Sequence, residues 1–472
     1  MLLLIFSTTL FPPMAVSWYY ADGSIAVFAL TWAVTALTGA ILWIPTRGQK
    51  KDIRNRDGFI IVILFWLLLA LSGALPLALS ETPNLSFTDA FFESISGLTT
   101  TGATVLTGID ILPKSILYYR QQLQWLGGMG IVVLAVAVMP MLGIGGMQLY
   151  RAETPGPIKD NKLTPRITET AKALWYIYLG LTVACALAYW LAGMTLFDAI
   201  GHAFSTIAIG GFSTHDQSLG YFNSPLINGV AIVFMLLSGI NFALHFIAWR
   251  AREMRTYFLD AEVRTYFIII LAVIAITITT LIYNNSYDSW WEAINHGLFH
   301  AVSIATTTGF TTTGFSWWPL FLPILIMTAS FVGGCAGSTA GGMKVIRALL
   351  LYKQGVREIY RLVHPAAVFP IKVGGKPMDD RVISAVWGFF SLYVVSFGAL
   401  SLVMMATGAD VVTAFSSVAA CLNNLGPGLG DVANHYQSIS PAGKWVLGFA
   451  MLLGRLELFT LLVVLSGVFW RN

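Results

Sequence analysis

Apolar runs of about 20 residues follow one another along almost the whole of this chain, each long enough to cross a hydrocarbon core about 30 Å thick. This narrows the fold sharply, because lipid offers backbone N–H and C=O groups no partner, so only helices or a closed barrel can satisfy them internally. Alternating strands of about ten residues, the mark of a membrane barrel, are absent. The expectation is an all-α polytopic membrane protein. Composition agrees: 56% of the 472 residues are hydrophobic and 11% are charged, against about 25% charged in a soluble domain.

The net charge of +4 is laid out as membrane topology, with no basic surface for nucleic acid. Basic residues collect at Arg47, Lys50, Lys51, Arg54 and Arg56, then at Arg151, Lys159, Lys162, Arg166 and Lys172, then at Arg250, Arg252, Arg255 and Arg264. A fourth group runs from Lys344 through Arg347, Lys353, Arg357, Arg361, Lys372 and Lys376 to Arg381, with Arg471 at the end. By the positive-inside rule these segments are cytoplasmic, which places both termini there. Only Lys114, Arg120, Lys444 and Arg455 fall elsewhere. Cys185, Cys335 and Cys421 show no paired spacing and are expected to be packing residues. The amino terminus lacks the basic region of a cleaved signal peptide and is taken as the start of a retained helix.

Four short polar loops interrupt the apolar pattern. They are centred on Gly102, Gly211, Gly309 and Gly426, which recur about every hundred residues, so the chain asks for an internal-repeat reading. Two leading helices, 3–20 and 25–44, occupy residues 1–46. Four units of helix, short segment, loop and returning helix follow at 58–147, 171–250, 264–355 and 382–471. Thirteen residues before each glycine stand Asp89, Asp198, His296 and Thr413; nine before stand Glu93, His202, His300 and Ser417; six before stand Ser96, Ser205, Ser303 and Ala420. The segments carrying them, 87–98, 197–208, 294–305 and 412–422, are too short to span and are expected to be re-entrant half-helices. Asp89 and Asp198, near the starts of these helices, are expected to cap them.

Nonhelical backbone at membrane depth is tolerated only where it is buried in protein or lines a water-filled path. Backbone carbonyls arranged in a ring replace the water shell of a cation, glycine allows the required dihedrals, and threonine hydroxyls add oxygens. The competing reading is that Gly and Thr serve close helix packing. Matched offsets in four units favour a pseudo-fourfold ion pore. Glu81, Asp110, Asp216, Asp288, Asp410 and Asp431 fall in expected outer loops, where they would concentrate cations or simply be solvated.

Two features occur once. The returning helix of the third unit contains Gly333, Gly334, Gly337, Gly341 and Gly342 among Ser338, Thr339 and Lys344. Each glycine costs about 1 kcal/mol relative to alanine in a helix, so a broken helix with a gating loop is expected, the competing reading being a glycine-faced crossing. Arg455 is read as midway along the final apolar helix, where arginine costs about 2.5 to 3.5 kcal/mol on insertion scales. It is expected to face the ion path as a fixed positive barrier, or else to pair with an acid such as Glu457. An intramembrane hydrolase built on Ser338 with His300 or His202 is a remote alternative, since no nucleophile, base and orienter are indicated together.

The four loops, the two leading helices, residues 333–344 and Gly454-Arg455 together resemble the superfamily of K⁺ transporters that includes the bacterial Trk and Ktr membrane subunits and their plant and fungal relatives, and most resemble the TrkH type. The resemblance covers essentially the whole chain. It implies a K⁺ filter lined by Thr100, Thr101 and Gly102; Ile209, Gly210 and Gly211; Thr307, Thr308 and Gly309; and Asn424, Leu425 and Gly426. Serine in place of the first glycine accompanies Na⁺ transport in some plant members of the superfamily, so Gly102 points to K⁺. The fourth loop departs most, with Asn424 and Leu425 in place of a Thr pair and Pro427 after the glycine. The resemblance further implies K⁺ as the transported ion with no organic cofactor, a homodimer in a bacterial inner membrane, and a cytosolic nucleotide-binding Trk A subunit on the basic inner segments. Passive gated flux is the leading mechanism, with H⁺ or Na⁺ symport the alternative.

Overall fold

The computed structural model describes residues 1–47, 55–137, 167–319 and 321–470. Several expected features, 138–147 of the first unit, Lys50, Lys51 and Arg54 of the first basic group, most of the second basic group and Arg471, lie outside the described residues. Within them the only strands are Lys372–Val373 and Lys376–Pro377, an antiparallel hairpin turned by Gly374 and Gly375, both at positive φ. Among the described residues, six helical spans are long and apolar enough to cross a membrane: Leu2–Tyr20, Ile25–Trp43, Asp57–Leu79, Ala171–Leu191, Ala261–Tyr283 and Asp380–Ala406. The protein is a multi-pass all-α membrane protein.

The first span differs from the single helix expected over 3–20. It consists of α1 (Leu2–Thr8) and α2 (Phe11–Tyr20), because the prolines in the first turn of α2 cannot donate to the preceding turn. Helix α3 (Ile25–Trp43) returns, and α1, α2 and α3 pack on α4 (Asn55–Leu79) and α6 (Lys114–Ala137) outside the main ring.

Each of the four repeats packs a long helix against a half-helix. The pairs are α4 with α5 (Phe87–Leu98), α7 (Ile167–Leu191) with α8 (Leu196–Ile207), α11 (Ala261–Tyr283) with α12 (Trp290–Ala305), and α15 (Asp380–Ala406) with α16 (Val411–Leu422). The returning helices are α6; α9 (Pro225–Ser238) with α10 (Phe242–Ala251); α13 (Leu322–Val332) with α14 (Val345–Val363); and α17 (Pro441–Arg455) with α18 (Phe459–Leu465). Returning helix α6 packs on half-helix α8, α9 on α12, α13 on α16, and α17 on α5. That cyclic order closes the repeats into a pseudo-fourfold ring.

Polar caps start the half-helices. Ser86, Thr195, Ser289 and Asp410 each accept a backbone N–H of the first turn. The caps expected of Asp89 and Asp198 are therefore carried by Ser86 and Thr195. The two acids sit three residues on and accept the cap hydroxyls at 2.7 Å, which orients each hydroxyl oxygen toward the first-turn N–H it accepts. Capping by Ser289 also starts α12 one turn before the expected residue 294.

The break in a returning helix is not confined to the third repeat, as the sequence had suggested. Helices α9 and α10 meet at 94° across Gly239, Ile240 and Asn241, and α17 and α18 meet at 117°. The second break is started by Asn241, whose side chain caps α10, and the last by Glu457 and Leu458, both at positive φ. Arg455 is consequently the last residue of α17 at a sharp bend, where the sequence had placed it midway along a straight helix.

Candidate functional site

The four half-helices end alike. In each, the residue before the loop glycine donates its N–H to a carbonyl five residues back: Thr101 to Ser96, Gly210 to Ser205, Thr308 to Ser303 and Leu425 to Ala420, all at 2.8 Å. This six-to-one bond requires a left-handed residue just before it. Thr100, Ile209, Thr307 and Asn424 occupy that position with φ of 52°, 54°, 66° and 53°. Left-handed backbone costs an L-residue about 1–2 kcal/mol, so three β-branched residues held there mark a site over-determined by its surroundings. Two residues later Gly102, Gly211, Gly309 and Gly426 are again at positive φ.

Close approach explains those glycines. A Cβ on Gly102 would lie 2.1 Å from the Gly210 carbonyl oxygen, one on Gly211 2.1 Å from that of Thr308, one on Gly309 2.1 Å from that of Leu425, and one on Gly426 2.7 Å from that of Thr101. Each loop glycine thus abuts the next loop, and the fourth abuts the first. The expected filter residues are brought together in one closed ring. All four half-helices point their C-terminal ends into it, each bringing about half a negative charge, which favours a cation on the axis.

The oxygens present fit such an ion. Thr100 Oγ1 and Asn424 Oδ1, at equivalent repeat positions, are buried with no hydrogen-bond partner among the described residues. Asn424 Nδ2 donates to Thr101 Oγ1 at 3.0 Å, so the odd residue of the fourth loop ties it to the first. Two ring carbonyls already accept protein bonds: Gly210 O from Gln124 Nε2 at 2.6 Å and Gly426 O from the Tyr436 hydroxyl at 2.7 Å. A carbonyl oxygen has two lone pairs, so each keeps one free.

Behind the ring, the polar residues nine positions before the first three glycines brace the outgoing loops, whereas in the fourth repeat Ser417 bonds back to Ala414 O of its own helix and Ser416 braces the loop by exchanging two bonds with Leu429. Glu93 accepts from Thr104 Oγ1 and Val105 N–H and pairs with buried Arg120 at 2.7 Å; Arg120 also donates to Ser213 O of the next loop. The His202 imidazole bonds Ser213 Oγ, and that of His300 lies 3.0 Å from Thr313 O. Ser338 Oγ donates to Cys335 O, so neither histidine is assembled with it as a catalytic base. The three cysteines are free and buried, as expected of packing residues.

Above the ring lies an outer vestibule of about 520 Å³, lined by residues that include Thr104, Asp216, Gln217, Thr313, Asn434 and His435. Below it the glycine-rich segment crosses under three of the four loops. Thr339 Oγ1 donates to Ile207 O at 2.9 Å, Gly341 N–H to Thr307 Oγ1 at 2.7 Å, and Gly342 N–H to Asn423 O at 3.0 Å. The segment is also locked to the break in the second repeat: Cys335 N–H donates to Gly239 O and Phe242 N–H to Gly337 O. Gly334 O accepts from Val345 N–H, and Lys344 Nζ donates to Ala340 O.

Arg455 closes the arrangement. It is buried, donates Nη1 to Thr339 O at 3.2 Å, and has no partner for Nε or Nη2 among the described residues. Glu457, the acid two residues away, pairs with Arg347 at 2.6 Å, so the ion pair considered for Arg455 goes elsewhere. The cavity shared by Arg455, Lys344, Asn424 and Gly341 measures about 40 Å³, space for about one water molecule. No hydrated cation fits.

Sequence inspection missed Gln124, Tyr436 and Glu262. Gln124 reaches Gly210 of the next repeat, Tyr436 reaches Gly426 10 residues back, and Glu262 reaches Ala336 and Ile346, 74 and 84 residues on; nothing in the local sequence marks which backbone group each will meet. Arg120 stood out as a basic residue away from the cytoplasmic groups, and its matching acid, Glu93, was visible only as a repeat position.

A ring of oxygen-rich re-entrant loops, fed by an outer vestibule and blocked on its inner side, defines a membrane transport protein. The sequence profile of the TrkH family, described as cation transport protein, matches residues 24–471, and the chain belongs to that family. It is 58% identical to the Trk system potassium uptake protein TrkH of Vibrio parahaemolyticus, over 100% of this chain and 98% of the relative. It is 44% identical to the Trk system potassium uptake protein TrkG of Escherichia coli, over 99% and 96% respectively. The crystal structure of the potassium transporter TrkH from Vibrio parahaemolyticus superposes with a TM-score of 0.93 at 55% identity, covering 100% of this chain and 97% of that one. These relatives are transport proteins, not enzymes.

Proposed function

We propose that this chain takes up K⁺ across the bacterial inner membrane as the membrane subunit of a Trk system, through the ring formed by Thr100, Thr101 and Gly102; Ile209, Gly210 and Gly211; Thr307, Thr308 and Gly309; and Asn424, Leu425 and Gly426. The observation that carries this reading is the closure of the ring, each loop glycine standing against the carbonyl of the next loop. Potassium as the ion is supported by the printed activity of the relatives and by Gly102 in the first loop. The repeats act as four pore units bounded near 58–147, 171–250, 264–355 and 382–471, behind the leading helices of 1–46, with both termini in the cytoplasm.

The gate in this proposal comprises Gly334, Gly337, Ser338, Thr339, Gly341, Gly342 and Lys344 together with Arg455. It opens when the glycine-rich segment withdraws from beneath the ring. Two protomers associate, each with its own pore, and a cytosolic nucleotide-binding Trk A subunit acts on the basic inner face to move the segment. Flux is passive and gated. Purified protein in liposomes should conduct Rb⁺ without an imposed proton gradient. A current whose reversal potential follows the proton or Na⁺ gradient would overturn passive flux in favour of symport.

A further inference from the structure

The glycine-rich segment has to be held at both ends to lie under the ring, and its own sequence is poorly equipped for this. Helix α14 begins immediately after it, and the residue at the cap position is Lys344, whose side chain makes no cap hydrogen bond. Lysine has no acceptor to offer the free N–H groups of a first turn. The acceptor comes from another helix. Glu262, 2% exposed in the first turn of α11, receives the Ile346 N–H of α14 at 3.2 Å and the Ala336 N–H at 2.7 Å, both on Oε1.

One carboxylate therefore caps α14 from outside and grips the glycine-rich segment ten residues earlier in the chain. A negative charge at a helix N-terminus also complements its dipole, and bonds to an ionised acceptor are the stronger kind. Asp260 fixes the carrier in turn, its side chain accepting the Glu262 and Val263 N–H groups at 2.9 and 3.0 Å and so setting where α11 starts.

We propose that Glu262 is the positioning residue of the inner gate: by joining Ala336 to the start of α14 it fixes the distance between the two ends of the glycine-rich segment and holds the segment closed. The proposal rests on the gating reading above. A movement of α14 on the cytoplasmic side would act on the gate through this junction. The two N–H groups that Glu262 accepts belong to Ala336 and Ile346, neither of them a ring residue, so its role concerns opening and leaves ion choice alone.

The test is Rb⁺ flux into liposomes from purified full-length protein without a cytosolic partner, for Glu262→Ala, Glu262→Gln, Glu262→Met and Arg455→Ala, together with K⁺ over Na⁺ selectivity and elution volume in detergent. Loss of two charge-assisted bonds should raise partner-free flux on the order of tenfold in Glu262→Ala, with selectivity unchanged. The amide oxygen of Glu262→Gln still accepts both N–H groups and should keep flux close to that of the unmodified protein, whereas Glu262→Met, of similar length with no such acceptor, should raise flux as Glu262→Ala does; low flux in Glu262→Met would assign a packing role and overturn the proposal. Flux unchanged in Glu262→Ala while it rises in Arg455→Ala would overturn this proposal alone; flux unchanged in both would overturn the gating reading. Should Glu262→Ala not elute as folded protein, Glu262→Met and Glu262→Gln decide together: high flux in the first with low flux in the second supports the acceptor role, and equal flux in the two overturns it.

Discussion

The outer and inner halves of this protein are built on opposite plans. In the outer half four half-helices end with the same bond, the same left-handed residue and the same glycine, although their sequences share little beyond polarity at matching depths. In the inner half the returning helices break at three different places, and the groups there, Arg455, Lys344, Glu262 and the Arg347–Glu457 pair, have no counterparts among the described residues of the other repeats. Selection among ions by a ring needs equivalent ligands around an axis. Blocking a path needs one group that moves, and four identical blocks would have to move together.

The sharpest way to break that comparison is to substitute the ring glycines one at a time. Alanine at Gly102, Gly211 or Gly309 puts a Cβ 2.1 Å from a neighbouring carbonyl oxygen at positive φ and should lower K⁺ uptake by at least about tenfold. Gly426→Ala, with 2.7 Å, should be the mildest of the four; uptake assays in a strain lacking its own K⁺ systems rank them. If Gly102→Ser leaves K⁺ over Na⁺ selectivity intact, the first loop is not part of the filter.

The inner half should respond in the other direction. Arg455→Ala removes a buried charge from the 40 Å³ cavity and should raise partner-free Rb⁺ flux on the order of tenfold, with selectivity kept. Arg347→Ala leaves Glu457 unpaired at the bend. Because the Glu457 side chain is 27% exposed, the loss is nearer about 1–2 kcal/mol than that of a fully buried pair, and it is measured as a fall of a few degrees in melting temperature.

The smallest effect concerns an outer contact between the first two repeats. His215 meets Asp110 at 2.5 Å and Asp198 at 3.5 Å, and its ring stacks on Tyr221. Burial opposes charge on His215, but the nearby Asp198 carboxylate and the hydrogen-bonded Asp110 outweigh it and raise its pKa; burial likewise opposes ionisation of Asp110, yet the bond from His215 holds its carboxyl below the usual value. The contact is therefore present between the two, lost as pH rises through the raised value of His215 and lost as pH falls through the lowered value of Asp110. His215→Gln should flatten the pH dependence of melting temperature in that window, and leave K⁺ selectivity unchanged.

Much of the ring was legible in the sequence because it repeats. Half-helices α5, α8 and α16 begin and end within a residue of the segments marked by the polar offsets, and the loop glycines fall where the repeat placed them. The inner half was less legible. Asn241 and Glu457 carry no breaker signal as strong as the five glycines of the third repeat, and so the bends they start went unseen. Glu457 stood beside Arg455 in sequence and paired with Arg347, 110 residues away.

The sequence by itself determined that this is an all-α membrane protein and that four glycine loops are related. Lipid enforces those outcomes on any chain with such apolar runs, and repetition makes the loops visible by comparison within the chain. Only the tertiary structure decided that the loops close on one another, that Asn424 binds Thr101, that two further returning helices are broken, and that Glu262 caps a helix it does not belong to. These are contacts between groups tens to hundreds of residues apart, fixed by distance and direction in space, and no local pattern of residues encodes either.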